Sequence, residues 1–243
     1  VGFTGTPIAE TYQTFGDEID RYTMDQSVAD GITVSIKYHP RITKVLLDNE
    51  KVKQIEAYYQ KCADDGATED DIEASKKAMS SMEMILGEPL RLKRLATDIH
   101  DHYVSACDAD PNRVQKAMIV CSSREIAYRL LLQFRAKYPE WFEEKKIPDG
   151  ATASEEELRK LKPMPAISMV ASVGSNDKPE MYKYLGGVKN DKRSDALDAA
   201  FKQEKSNFRI AIVVDMWITG FDVPCLTYLY LSLIHISEPT RRS

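Results

Sequence analysis

The sequence predicts an α/β protein built around a parallel sheet. Short, largely apolar runs lie at residues 117–121, 166–171 and 210–214, the first of them continuous, as expected for strands that are buried on both faces. Helix-forming segments separate these runs, and a fourth strand pattern follows at residues 226–231. Strands that alternate with helices are typical of βαβ units, in which the strands run parallel. We therefore expect one parallel sheet over residues 114–231.

Residues 15–30, which lie before this sheet, are mostly polar. A short helix is predicted to begin near Asp25 and to end at Gly31 in a left-handed cap. Apolar and polar residues then alternate over residues 32–38, a pattern that predicts a strand with one solvated face. Pro40 would stop this strand, because proline cannot donate to a ladder.

Residues 43–108 follow a helical pattern, and we interpret them as a helical insertion or linker. Near its end, four apolar residues recur at helical spacing: Leu92, Leu95, Ile99 and Tyr103. His100 and His102 lie in the same helix but two positions apart, so they point to different faces. A solvated helix surface is therefore favoured there, and no metal site is predicted.

The helix after the first strand of the sheet has a clear start signal. Ser122 and Glu125 have the spacing of a capping box, with Ser122 reaching forward and Glu125 reaching back. The helix behind them presents one apolar face: Ile126, Leu130, Leu131 and Phe134. A polar loop over residues 143–161 leads to the second strand. A helix with an apolar face precedes the third: Leu197, Ala200 and Phe201.

Composition sets broad limits on function. The 243 residues are 43% hydrophobic and 29% charged, which excludes a collagen-like or wholly disordered chain. A net charge of −5 does not indicate a strongly basic nucleic-acid binder, although a motor can carry a local basic groove on an acidic body. The cysteines stand far apart and suit reduced thiols in a cytosolic protein: Cys62, Cys107, Cys121 and Cys225.

One candidate functional loop lies near the start of the chain, at residues 4–7 (TGTP). Gly5 allows close backbone approach and Pro7 stiffens the exit, while the hydroxyls of Thr4 and Thr6 can bridge to carboxylates or phosphate oxygens. An ordinary tight turn is the alternative interpretation of these four residues.

A second such loop follows the third strand of the sheet, at residues 215–224 (DMWITGFDVP). It offers two carboxylates, a hydroxyl and a flexible glycine where α/β sheets bind ligands, outside the carboxyl ends of the strands. The alternative is structural, because Thr-Gly turns and Asp caps are common. Trp217 in this loop, like Trp141, is interpreted as a packing residue.

These segments together resemble superfamily 2 helicases. Residues 1–8 resemble motif III, residues 117–124 resemble motif IV and residues 210–224 resemble motif V. Residues 213–224 (VVDMWITGFDVP) are especially similar to the motor (R) subunit of type I restriction enzymes. Two further segments support the resemblance: residues 14–17 (TFGD) and 22–31 (YTMDQSVADG).

The resemblance implies a section of an ATP-dependent DNA translocase with RecA-like lobes. Residues 1–42 would be the end of the first lobe and the interlobe segment, residues 43–112 a helical linker, and residues 113–231 a truncated second lobe. The parent would be a cytoplasmic, prokaryotic type I site-specific deoxyribonuclease that uses ATP and Mg²⁺. Its partners would be double-stranded DNA and the modification and specificity subunits.

The resemblance also implies roles for single residues. Motif III would couple nucleotide state to lobe movement through Thr4, Gly5, Thr6 and Pro7. In motif V, Thr219 and Gly220 would approach a phosphate, and Asp222 would fix the loop or reach toward the nucleotide ribose. Motif IV offers three candidate DNA contacts: Ser122, Ser123 and Arg124.

The sequence also departs from the helicase pattern. It contains no G-x-x-x-x-G-K-[ST] phosphate loop, no acidic magnesium pair before Thr4 and no arginine-bearing motif VI after residue 231. We therefore expect the chain alone to bind no nucleotide and to be inactive. Two alternatives remain: another superfamily 2 DNA or RNA helicase, and a nucleotide-free RecA-like interaction module.

The two ends of the sequence carry expectations of their own. The chain begins Val1-Gly2-Phe3 without an initiator Met or a signal peptide, and we expect it to be cut from a longer protein. Residues 232–243 (SLIHISEPTRRS) resemble a translated sequencing adapter. We expect this tail to be non-native and to pack on nothing; a natural divergent tail is the alternative.

Overall fold

The chain divides into two compact units, residues 1–42 and residues 43–243. The computed structural model describes residues 9–17, 19–37, 39, 86–214, 216–217 and 221–231. Predictions that concern residues 1–8, 40–85 and 232–243 lie outside the described residues. The finer division into a linker and a second lobe stays a prediction.

The described part of the first unit contains two short helices, α1 (Ala9–Phe15) and α2 (Met24–Ala29). Thr23 caps α2 in a capping box: its hydroxyl accepts from the Gln26 amide at 3.3 Å, and the Gln26 side chain accepts from the Thr23 amide at 2.7 Å. Gly31 follows the helix with φ +71°, a left-handed conformation that glycine adopts without steric cost. The predicted short helix and its glycine are confirmed, whereas α1 was not predicted.

The predicted strand over residues 32–38 is wrong for its described part. Residues 32–37 form no strand, and the side chains of Ile32, Val34 and Ile36 are 70%, 85% and 58% exposed. An alternating pattern describes one face of an extended segment, but a strand also needs a hydrogen-bonded neighbour. No described residue forms a strand pairing with this segment.

The second unit contains the predicted sheet, and all of its pairings are parallel. Its strands are β1 (Lys116–Val120), β2 (Ile167–Val170), β3 (Ile210–Val213) and β4 (Leu226–Leu231), in the order β2-β3-β1-β4. β1 is central, since Ala117 lies opposite both Ile210 of β3 and Tyr228 of β4. The predicted strands and their parallel arrangement are confirmed.

Five α-helices accompany this sheet in the described part of the second unit: α3 (Pro89–Ala109), α4 (Arg124–Lys137), α5 (Glu155–Lys160), α6 (Pro179–Tyr184) and α7 (Asn190–Lys202). Helix α5 lies inside the predicted polar loop over residues 143–161, which corrects that prediction. Ser154 and Glu157 form a capping box at its start. Among the described helices, none is both long and apolar enough to cross a membrane.

Side chains of the sheet alternate between two cores, one on each face. On one face, Ala117 and Ile119 pack with Ile99 of α3 and Leu130 and Phe134 of α4. Helix α3 thus shares a core with the sheet. The other face carries a second cluster, with α7: Met118, Val120, Ala211, Val213, Leu197, Phe201 and Phe208. The described cysteines are free thiols: Cys107, Cys121 and Cys225.

Lys116, the first residue of β1, is fully buried at 0% exposure. Its Nζ donates to the carbonyl oxygens of Phe201 at 2.6 Å, Gln203 at 2.7 Å and Ala200 at 3.3 Å. Burial lowers the pKa of this ammonium group to about 8. The carbonyls of Ala200 and Gln203 also accept from the backbone amides of Gln203 and Ser206, at 3.3 and 3.1 Å. The cation adds a charged donor to all three carbonyls and suits the negative end of the helix dipole.

Replacing this buried cation should destabilise the second unit. The Lys116→Met change keeps the aliphatic stem but removes the ammonium group that donates to the carbonyl oxygens of Ala200, Phe201 and Gln203. We expect the free energy of unfolding, measured by urea denaturation, to fall by about 1–3 kcal/mol. As a control, Lys160→Met removes an exposed lysine and should change the free energy of unfolding by less than about 0.5 kcal/mol. Equal effects of the two changes would contradict this role of Lys116.

Candidate nucleotide and DNA interface

The carboxyl ends of β1, β2 and β3 lie at one edge of the sheet, because the three strands run parallel. We call this edge, formed by residues 121–124, 171–178, 214, 216–217 and 221–222, the carboxyl edge. In α/β sheets, ligands bind in the crevice outside such an edge. The segments that resemble motifs IV and V are both found at the carboxyl edge.

The first of these segments starts helix α4. Ser123 is the N-cap, with φ −149° and ψ 159°, and its hydroxyl accepts from the Ile126 amide at 3.3 Å. The predicted capping box of Ser122 and Glu125 is therefore wrong, because the helix begins one residue later than that pairing requires. Ser122 is instead exposed at the carboxyl edge.

Arg124 ties the segment after β1 to the segment after β2. Its Nη2 lies 3.1 Å from Oδ1 of Asp177, whose side chain is only 3% exposed. Its Nη1 donates to the Ser172 carbonyl at 3.4 Å. The other Asp177 oxygen accepts from the Gly174 amide at 2.7 Å. The guanidinium thus has a structural role, and its side chain remains 33% exposed.

Gly174 allows this close approach. A Cβ atom at residue 174 would collide with the Arg124 guanidinium, so any larger residue would push that side chain aside. A second, more exposed link runs between the same two segments, since Lys178 Nζ lies 2.7 Å from Glu125 Oε1. Exposed pairs of this kind contribute little to stability, and the buried Asp177 carboxylate is the stronger constraint.

The segment after β3 is held by aromatic rings. Trp217 and Phe221 stack with 4.2 Å between ring centroids and 5° between planes, and Phe201 of α7 lies 5.4 Å from Trp217. Trp217 is thus a packing residue, as predicted. Asp222 is exposed to solvent. Thr219 and Gly220, like the four motif III residues 4–7, lie outside the described residues.

The two histidines of α3 are not on a solvated surface, which corrects that prediction. His100 stacks on Tyr138 at 3.6 Å with 4° between the rings, and the Nδ1 of His102 lies 2.7 Å from the Tyr230 hydroxyl. They contact different elements, as their spacing predicts. Trp141 lies 4.8 Å from His100 and packs in the same aromatic cluster. The described residues contain no group of three potential metal ligands.

Asp177 is the residue that sequence reasoning missed at this edge. A turn-forming string, residues 174–177 (GSND), marks its loop. Nothing in that string indicates that its carboxylate pairs with Arg124, because the two residues come from loops that follow different strands.

The chain is similar in sequence to an ATPase family and to two subunits of restriction enzymes. The SWI2/SNF2 ATPase family matches residues 1–72. The endonuclease subunit of the type I restriction enzyme HindI from Haemophilus influenzae is 33% identical over 237 residues, which are 95% of this chain and 19% of that protein. The putative type I restriction enzyme MjaIXP endonuclease subunit from Methanocaldococcus jannaschii is 29% identical over 236 residues, 95% of this chain and 20% of that protein.

The parallel sheet with helices on both faces defines the class: the chain is an α/β protein with a RecA-like arrangement, and its first 72 residues match an ATPase family. More particularly, it is related over nearly its whole length to the endonuclease subunits of type I restriction enzymes. The chain spans about a fifth of the length of the curated relatives it matches.

The ion pair at the carboxyl edge can be tested directly. Arg124→Met leaves the buried Asp177 carboxylate without its cation, and we expect the free energy of unfolding to fall by about 1–3 kcal/mol in urea denaturation. Arg159→Met, which removes a largely exposed i,i+4 partner of Glu155, is the matched control and should change it by less than about 0.5 kcal/mol. If the Arg124 variant is as stable as the control, the pair does not join the two loops energetically.

Proposed function

We propose that this chain is part of the motor of a type I restriction enzyme, in which ATP hydrolysis drives translocation along double-stranded DNA and leads to cleavage by a separate nuclease domain. The observation that carries the proposal is the similarity to two endonuclease subunits over 95% of the chain. The carboxyl edge supports it, because both motif-like segments lie at the edge where an α/β sheet offers a ligand site.

The residue roles follow from this proposal. Thr219 and Gly220 approach a phosphate, and Asp222 fixes the loop or reaches toward the nucleotide ribose. The exposure of Asp222 leaves its carboxylate accessible to a ligand. Ser122, Ser123 and Arg124 contact DNA; Ser122 is exposed, and Arg124 keeps part of its guanidinium accessible beside Asp177. Thr4, Gly5, Thr6 and Pro7 couple nucleotide state to movement.

ATP and Mg²⁺ are the cofactors of the proposed parent. The residues present fit only part of such a site: hydroxyls, a glycine and a carboxylate can contact phosphate and ribose, but the sequence holds no phosphate-loop lysine. When bound, ATP supplies the phosphoryl group whose transfer to water drives movement. The proposed partners are double-stranded DNA and the modification and specificity subunits, in the cytoplasm of a prokaryote.

Substitutions in the motif V segment should test this function in the full-length subunit, assembled with its partner subunits. We expect Thr219→Ala and Asp222→Ala each to slow translocation roughly 10- to 100-fold, since misplacing a reacting group by about 1 Å can cost that much. Triplex displacement on linear duplex DNA measures the rate. Exposed residues elsewhere provide matched controls, Thr152→Ala and Asp149→Ala, which should translocate normally. Normal rates for both motif V variants would show that the assignment is wrong.

The isolated 243-residue chain should show no DNA-stimulated ATP hydrolysis. It lacks the lysine and the magnesium carboxylates that stabilise the transferred phosphoryl group in such enzymes. Phosphate release from purified chain, with and without duplex DNA, measures this, and the full-length subunit is the positive control. DNA-dependent release by the isolated chain would overturn the expectation.

A further inference from the structure

A basic segment joins α6 to α7 at the point where the chain passes from one face of the sheet to the other. Met181 of α6 packs in the core of one face, and Leu197 of α7 packs in the core of the other. We call residues 182–193 between them the lysine turn. It carries four cations (Lys183, Lys189, Lys192 and Arg193) and one carboxylate (Asp191), a net charge of +3 in a chain whose total is −5.

Two glycines make the backbone of the lysine turn tight. Gly186 and Gly187 have φ +93° and +52°, in the region that favours glycine. The Gly186 amide donates to the Lys183 carbonyl at 3.1 Å, and the Gly186 carbonyl accepts from the Lys189 amide at 2.9 Å. A Cβ atom at residue 187 would lie 2.8 Å from the Tyr182 ring. The backbones of Lys183 and Lys189 are therefore held on either side of one glycine.

Buried side chains anchor the lysine turn to β2, which pairs with β3 alone among the described strands. Asn190 is buried, and its Nδ2 donates to the carbonyls of Leu185 at 2.8 Å and Ala171 at 3.0 Å. The Arg193 guanidinium donates to the Met169 carbonyl at 3.0 Å. The turn is thus fixed from both of its ends, and its position follows that of the strand.

The other three cations of the turn are free to meet a ligand. Lys183, Lys189 and Lys192 are exposed, and none of them forms an ion pair with a described residue. Exposed lysines elsewhere in the described part are paired, such as Lys160 with Glu156 and Lys202 with Asp198. Unpaired cations grouped on a rigid turn create a local positive potential, which attracts anions even to an acidic protein.

The lysine turn lies beside the candidate DNA contacts at the start of α4. Asn190 binds the Ala171 carbonyl, and Arg124 binds the carbonyl of the next residue, Ser172, at 3.4 Å. The turn and the motif IV segment therefore hold consecutive carbonyls of the segment after β2. A ligand that contacts Ser122 and Arg124 has the lysine turn next to it on the same side of the sheet.

We propose that the lysine turn binds the phosphate backbone of double-stranded DNA through Lys183, Lys189 and Lys192. This inference rests on the proposed function, because DNA is the partner which that function assigns. Lysine ammonium groups bind phosphates as point charges, and such contacts add affinity without reading the base sequence. Continuity with the motif IV segment favours DNA over an acidic protein surface as the partner.

The salt dependence of DNA binding tests this role. The triple variant Lys183→Gln, Lys189→Gln, Lys192→Gln removes the three proposed contacts from the full-length subunit. Fluorescence anisotropy with a labelled duplex, over a series of salt concentrations, gives the slope of log binding constant against log salt. We expect the magnitude of this slope to fall by about 2–3, since each phosphate contact contributes about 0.9. Two duplexes of unrelated sequence should lose affinity equally.

Helix α5 provides a control with the same change in net charge. Arg159→Gln, Lys160→Gln and Lys162→Gln remove three exposed cations, two of which pair with carboxylates of their own helix. This variant should keep the wild-type slope. An equal fall in the slope for both triple variants would show that net charge alone matters, and the proposed contacts would be wrong.

A substitution at the tip tests the same surface without removing a lysine. Val188 is 92% exposed, so replacing it leaves the core intact. Val188→Glu places a carboxylate among the three lysines and should raise Kd for duplex DNA roughly 3- to 10-fold at low salt. Val188→Gln has a similar size without the charge and should stay within about twofold of the wild type. Equal Kd values for the two variants would contradict the proposal.

The outcomes separate this inference from the proposed function. If the wild-type assembly shows DNA-stimulated ATP hydrolysis but the lysine variant binds DNA like the control, the motor function stands and the role of the lysine turn is wrong. If the lysine variant loses affinity and the wild-type assembly shows no such hydrolysis, the turn binds DNA and the motor function fails. A lysine variant that binds DNA normally but no longer assembles with its partner subunits would assign the turn to a protein partner and overturn the inference.

Discussion

The burial of β1 between β3 and β4 is the constraint on which the described part of the second unit depends. The strand is paired on both edges and packed on both faces, so its register decides which side chains enter each core. A slip by one residue would exchange Ala117 and Met118 between the two faces. The same register fixes the two ends of the strand, where Lys116 holds α7 and Ser123 begins α4.

Buried polar groups at these two ends are satisfied by different chemistry. At the amino end, backbone carbonyls surround the Lys116 ammonium, while at the carboxyl end Arg124 meets the buried carboxylate of Asp177. A charge in a low-dielectric environment is tolerated only when it has such partners. Each of these interactions joins elements that are distant in sequence, so each fixes the fold as well as satisfying a charge.

The strands could be predicted from the sequence because short apolar runs that alternate with helices are typical of a parallel sheet covered on both faces. The alternation over residues 32–38 misled because it specifies a face and not a pairing partner. At the start of α4, Ser122 and Ser123 are both good caps, and only the end of β1 decides between them. The partnership of Arg124 with Asp177 and the aromatic contacts of His100 arise from tertiary packing, which no local pattern contains.

Two of the three segments of the carboxyl edge are held by different kinds of interaction. The segment after β1 depends on an ion pair, whereas the segment after β3 depends on stacked rings. Salt screens exposed charges strongly, but it affects buried pairs and apolar contacts little, so neither the pair with the buried Asp177 carboxylate nor the stacked rings should loosen much as salt rises. The attraction between proteins and DNA phosphates does weaken as salt rises.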